Sequence, residues 1–247
     1  MRLALGLIAL TLAALPAYAF DPAAMTDAER AAFGAEVRAY LLEHPEILIE
    51  VSEALQAKQS AAQSAGDASM IAANAAQIFA DASSYVGGNP DGGLTLVEFL
   101  DYRCAYCRKA HNDVAELVQS DGDIRYVVKE LPILGDESVM ASRFAIATLQ
   151  IAGPEAYAKV NAGFYESFRG DVTMETLKTF ADSLDLDSAP IFTAMISAEV
   201  TKVIEDNQRL AQTLQISGTP TFVLGDQMMR GFVPLEEMRI VVSEVRG

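Results

Sequence analysis

The sequence predicts an α/β fold in which a mixed sheet is covered by helices and interrupted by a helical insertion, with an all-helical segment ahead of it. Three observations predict it. Residues 20 to about 85 are rich in Ala, Gln, Glu and Ser and show no strand-like alternation. Residues 94 to 131 read as strand, helix and strand, and the chain from Thr221 to Val245 reads as two short strands and a closing helix. Between these blocks, from Glu137 to about Leu214, the apolar spacing is helical.

The elements follow in chain order. Behind Arg2 lies the apolar run Leu3 to Leu15, then Pro16 and Ala17-Tyr18-Ala19, the small-x-small form that signal peptidase accepts. Residues 1–19 are expected to be a secretory signal, with the mature chain starting near Phe20. That run is too short to span a bilayer comfortably, and no other stretch approaches the roughly 20 apolar residues a membrane helix needs. Stable membrane insertion is therefore not expected. The formal net charge of −16 is spread over the chain, whereas binding a phosphate backbone needs clustered Lys and Arg. Nucleic acid is excluded as a partner, and the acidity favours solubility.

Thr26 and Glu29 form a capping box, and Phe33, Val37, Tyr40 and Leu41 then recur at helical spacing until His44-Pro45 ends the helix. A second helix carries Ile47, Leu48, Val51 and Leu55, and Ala-rich sequence takes Ile71, Ile78 and Phe79 towards Tyr85. So thin an apolar set needs a surface to dock on, either the second region or copies of itself, and self-association is the expectation. The dense turn signal Gly87 to Gly93 opens the second region. A strand Leu94–Leu100, a helix from about Cys104 to Gln119 and a strand Ile124–Leu131 then make a βαβ unit. The helical stretch that follows breaks at Gly153-Pro154, Gly170-Asp171 and near Asp187. Thr221–Leu224 and Met228–Arg230 form a hairpin across Gly225-Asp226, and Pro234 to Val245 is a helix. This order is that of a thioredoxin fold with a helical insertion, although order alone leaves several α/β folds open and the assignment rests on where the motifs fall within it. The expected divisions are a signal over 1–19, a helical region and linker over 20–85, and the α/β domain over 86–247.

The chain holds two cysteines, both in Cys104-Ala105-Tyr106-Cys107. A bridge closing so short a loop constrains the unfolded chain little, so redox chemistry explains the pair better than stapling. At a helix N-terminus, unpaired N–H groups and the helix dipole favour an anion, so Cys104 should ionise easily and attack as thiolate. Cys107, one turn along, is placed to resolve a mixed disulfide. A haem attachment site would need His where Arg108 stands. Structural zinc would need two further ligands, and the chain adds only His44 and His111. Cu(I) stays open as an alternative, because two thiolates suit a soft ion and copies could share it.

Alternation places Glu98 on the strand face of Leu94, Leu96 and Leu100. Burial there raises its pKa and equips it to trade protons with Cys107, and Lys129 is a candidate partner for it. In Ser217-Gly218-Thr219-Pro220-Thr221 a proline opens a strand. It cannot donate to a central ladder, and a cis Thr219-Pro220 bond would turn the Thr219 backbone towards Cys104, ready to pair with an extended substrate. Arg103, Arg108 and Lys109 add positive charge near the thiol, and His111 is expected to be a half-exposed surface residue.

FLDYRCAYCRKAH and SGTPTFVLGDQ resemble the two signatures of the DsbA family of thioredoxin-like proteins over residues 90 to 246. Within it, VKELPILGDES and YLLEHPEILIEVSEAL are similar to the ScsC-like (suppressor of copper sensitivity) subgroup. The resemblance implies Cys104 as nucleophile, Cys107 as resolving thiol, Glu98 as buried acid and Pro220 as cis-proline. Thr219 is similar to the arrangement in isomerases and ScsC-like proteins, which leans towards isomerase or reductase work, while Ala105-Tyr106 departs from both the oxidase and the thioredoxin dipeptides. It implies a periplasmic thiol-disulfide oxidoreductase acting on exported proteins. A DsbD/ScsB-like or DsbB-like membrane partner would recycle it, and the Cys104–Cys107 disulfide would serve in place of any cofactor. The rival readings are a Cu(I)-binding module using the same thiols and a structural adaptor.

Overall fold

The computed structural model describes residues 24–247, and the expected signal over 1–19 lies outside the described residues. Contacts divide the chain into two compact units, Met1–Lys58 and Gln59–Gly247.

In the first unit, α1 (Asp27–Glu43) starts at the Thr26–Glu29 capping box, where the Thr26 N–H donates to Glu29 at 2.8 Å. It buries no side chain. Beyond His44-Pro45 runs α2 (Glu46–Ala73), whose residues up to Lys58 leave Leu48, Ile49, Val51 and Leu55 exposed.

The second unit is built on five strands, β1 (Tyr85–Gly88), β2 (Leu94–Leu100), β3 (Ile124–Glu130), β4 (Thr221–Leu224) and β5 (Gln227–Arg230), in the order β1-β3-β2-β4-β5. β2 lies at the centre, parallel to β3 and antiparallel to β4. Alternation sorts its side chains. Leu94 and Leu96 pack with Ile124, Phe222 and Leu224 under α4 (Ala105–Asp121) and α10 (Leu235–Arg246). Val97 and Phe99 pack on the other face with Val127, Leu131, Val223, Ile71 and Ile78. Between β3 and β4 the insertion folds as α5 (Asp136–Ala152), α6 (Pro154–Glu166), α7 (Met174–Ser183), α8 (Ser188–Met195) and α9 (Ala198–Thr213). Its aromatic core of Tyr157, Phe144, Phe164 and Phe180 is continuous with Tyr102, Cys104 and Cys107.

Two findings differ from the sequence reading. The turn signal hides β1, whose Tyr85 stacks on Tyr157 at 4.4 Å. Pairing with β3 overrides the low strand preference of Gly87 and Gly88, and Gly88 is required there because at φ +67 a Cβ would stand 2.4 Å from the Ile124 carbonyl oxygen. Composition places the regional boundary near residue 85, whereas packing places it after Lys58. The reason is that the end of α2 and the short α3 (Ala75–Phe79) give Ile71 and Ile78 to the core of the sheet, and Asp67 accepts two hydrogen bonds from Arg230 at 2.6 and 2.8 Å.

Candidate active site

The parallel β2–β3 pair and the start of α4 bring the cysteines to the end of the central strand. A single buried carboxylate fixes the approach. Asp101 accepts from the N–H groups of Arg103 (2.8 Å), Ile133 (2.8 Å) and Leu134 (3.1 Å) and from the Ser138 hydroxyl (2.7 Å). The loop before Cys104 is thereby tied to the loop after β3, where Ile133 and Leu134 are exposed.

Cys104 occupies the N-cap of α4, and both cysteines are thiols. Its Sγ–H donates to the Thr219 carbonyl at 3.1 Å, across a cis Thr219-Pro220 bond. The expected meeting of the two loops is what the structure contains. A hydrogen bond from Cys107 brings the Cys104 thiol down to about 5; burial opposes this, and the Thr219 side chain and the N–H groups of Cys107 and Tyr106 reinforce it. The Thr219 hydroxyl is buried and has no hydrogen-bond partner. Once the sulfur ionises it becomes an acceptor for that hydroxyl, which is how Thr219 favours the thiolate.

Cys107 is 1% exposed. Burial pushes its thiol up, and the hydrogen bond to Cys104 and the charge of Glu98 push it further. Two sulfurs one turn apart are thus driven in opposite directions, one towards attack and one towards holding its proton.

Glu98 is 3% exposed and accepts a hydrogen bond from Tyr126. Burial raises it to about 7, the Tyr126 bond works against that, and the neighbouring Cys104 charge adds to it. Lys129 is not its partner. In the β2–β3 register Glu98 faces Val128 while Lys129 pairs with Phe99, so the lysine emerges on the opposite face and binds Asp81 at 2.6 Å. The sequence reading missed Tyr126, although the same alternation that places Glu98 also places Tyr126 on its face.

A second buried acid was also missed. Glu130 accepts from Tyr102 (2.7 Å), Tyr157 (2.6 Å) and Ser142 (2.7 Å), joining the residue two before Cys104 to the insertion. Burial raises it to about 7 against those bonds. An acid on the apolar face of a central strand was its signal, as for Glu98.

The basic residues around the cysteines are engaged elsewhere. Arg103 pairs with Glu137 at 3.1 Å, Arg108 donates to the Tyr165 carbonyl, and the Lys109 ammonium sits 4.0 Å from the Phe232 ring centre. The largest causes of the Cys104 shift are the hydrogen bonds above. His111 is half-buried against Tyr165, 3.6 Å from Glu166, and burial lowers its pKa. Among the described residues no group of three or more His, Cys, Asp or Glu is placed to hold a metal.

A thioredoxin family model matches residues 80–244, and the model of the copper resistance protein ScsC N-terminal domain matches residues 29–62. The chain is similar to a thioredoxin-like oxidoreductase from Silicibacter pomeroyi, at 36% identity, covering 69% of this chain and 96% of that one with a TM-score of 0.65. It is similar to ScsC of Proteus mirabilis in a transitional conformation, at 25% identity, covering 90% and 98% with a TM-score of 0.66. It is also similar to the thiol:disulfide interchange protein DsbA of Bordetella pertussis, 25% identical over 158 residues, which are 60% of this chain and 74% of that one. Na(+)/H(+) antiporters NhaA of Salinispora species match as well, and of their length the chain spans 24%.

Proposed function

This chain belongs to the thioredoxin family, in the DsbA-like branch that includes ScsC, and we propose that it is a periplasmic protein thiol-disulfide oxidoreductase acting on exported proteins. One observation carries the proposal: a cysteine whose thiol lies at about 5 stands 3.1 Å from the Thr219 carbonyl oxygen. The thiolate of Cys104 attacks a client disulfide, forming a mixed disulfide and releasing one client thiolate. Cys107 gives its proton to Glu98 and displaces the second client sulfur, closing the Cys104–Cys107 disulfide. The client gains the two electrons the dithiol loses. Run backwards, the same steps oxidise a client, and alternated they isomerise one. The Thr219 backbone pairs with the extended client chain, and the exposed Tyr106, Ile133 and Leu134 favour apolar segments.

Several further features belong to this reading. Residues 1–19 direct export and are removed, and among the described residues no helix is long and apolar enough to cross a membrane. A DsbD/ScsB-like or DsbB-like membrane protein exchanges electrons with the Cys104–Cys107 pair, which cycles without a cofactor. The exposed Val37, Tyr40, Leu48, Val51 and Leu55 support self-association through the N-terminal helices.

Cys104→Ser is expected to abolish insulin reduction and the refolding of scrambled ribonuclease. Full activity in that variant would overturn the proposal. Stoichiometric, tight Cu(I) binding with negligible exchange activity would instead favour the copper module.

A further inference from the structure

Glu98 takes a proton in each catalytic cycle and must return it to water, yet it is 3% exposed. Carboxylates sealed this way need a route. Cys104 at the N-cap of α4, Cys107 within it, Tyr126 of β3 and Tyr165 of α6 are titratable groups that face it or its cysteines, and Tyr102 and Tyr85 face Tyr126 in turn. Three of them lead nowhere suitable. Cys104 is engaged with client during the step, Cys107 is the proton's source, and the Tyr165 hydroxyl donates to the Asp101 carbonyl at 3.3 Å. Tyr126 differs. Its hydroxyl donates to Glu98, and its side chain also lines a cavity of about 470 Å³ between α4 and the β1–β3 edge. Gly88, His111, Ala115, Val118 and Asn161 form other parts of that lining.

We propose that this cavity is the solvent port of the active site, with the Tyr126 hydroxyl as the relay that carries protons between water in the cavity and Glu98. The inference rests on the exchange reaction proposed above. When Cys107 attacks, its proton moves to Glu98 as the new sulfur–sulfur bond forms and the client thiolate departs. Glu98 then passes that proton to the Tyr126 oxygen while the tyrosine gives its own hydrogen to a cavity water, so the phenol is neutral before and after. No electrons move in this second step. When the steps run backwards to oxidise a client, the same relay runs inward. Tyr126 is a positioning residue, since it acts on the sulfur chemistry only through Glu98. Its half-buried place between cavity and carboxylate also explains why a tyrosine rather than a phenylalanine stands between Ile124 and Val128 on the strand face that ends in Glu130.

The test is single-turnover exchange with a peptide disulfide, separating attack by Cys104 from resolution by Cys107. Tyr126→Phe keeps the ring and removes the relay. It is expected to leave the alkylation rate of Cys104 unchanged and to slow resolution about 10-fold or more at pH 7, less than the roughly 100-fold or more that a group transferring the proton directly contributes, because Tyr126 acts only through Glu98. The midpoint of its resolution–pH profile should also move up, because Glu98 loses the hydrogen bond that lowers it. Ala115→Trp covers the cavity mouth from the exposed side of α4 and should slow resolution with the midpoint unmoved. Wild-type resolution rates and pH profiles in both variants would overturn this inference alone. An absence of Cys104-dependent exchange in the wild-type protein would overturn the proposed function and the relay with it.

Discussion

At the scale of single residues, the site works by treating two identical side chains oppositely. Cys104 is solvated by N–H groups of its own helix and by Thr219, whereas Cys107 sits one turn deeper among apolar neighbours. Replacing Thr219 by Val removes a donor to the thiolate. The Cys104 midpoint should then rise above about 5, and the rate of iodoacetamide alkylation at pH 6 should fall; an unchanged profile would show that the hydroxyl does not reach the sulfur. Glu130 offers a second check. Its folded-state value of about 7 exceeds the ordinary carboxylate value of 4.5, so folding favours its protonated form. That contribution is fully present below pH 4.5 and is lost as pH rises towards 7. The stability of wild type relative to Glu130→Gln should therefore fall between pH 4.5 and 7 and level off above, as measured by chemical denaturation at each pH. The cysteines, Glu98 and the Thr219-Pro220 loop were legible in the sequence because each breaks a local rule: a thiol pair too close to staple, an acid among leucines, a proline at the head of a strand. Lys129 was misjudged because sequence distance suggested a partner that strand register forbids. Tyr126 and Glu130 are harder to read, because alternation puts them on the face of Ile124 and Val128 but names no partner for either until the register is known.

At the scale of elements, the βαβ unit and the terminal hairpin and helix could be read because their periodicities are clean, and β4 and α10 start within a residue of their expected positions. β1 could not, since glycines dominate it and its stability comes from pairing with β3. The regional boundary was displaced for a related reason. Composition changes near residue 85, but Ile71 and Ile78 already belong to the core of the sheet. Ile78 is the one buried residue of α3. Ile78→Ala should destabilise the protein by about 2–5 kcal/mol in denaturant unfolding, the usual cost of emptying a large aliphatic site. Leu48→Ala, in the exposed part of α2, should change the stability of the Gln59–Gly247 unit by about 0.5 kcal/mol or less. Equal effects would mean that residues 59–85 are a linker and that the compositional boundary was the physical one.

At the scale of the whole molecule, the fold's contribution is to hold one sulfur at a helix start and against a backbone carbonyl, with a buried carboxylate on the strand behind. A depressed thiol stabilises the reduced pair at neutral pH, because the thiolate is solvated in the folded protein and vanishes when the disulfide forms. The chain's acidity and exposed N-terminal apolar residues concern what it meets, and the mass of the protein in solution tests the proposed self-association: more than one chain is expected, and a monomer would contradict it. The chemistry rests on the charge state of a single atom. Titrating the Cys104 thiolate by its ultraviolet absorbance, with Cys104→Ser as the blank, tests it most directly. A midpoint near 5 is the predicted result, and a midpoint near 8.5, about that of an unperturbed cysteine, would contradict it.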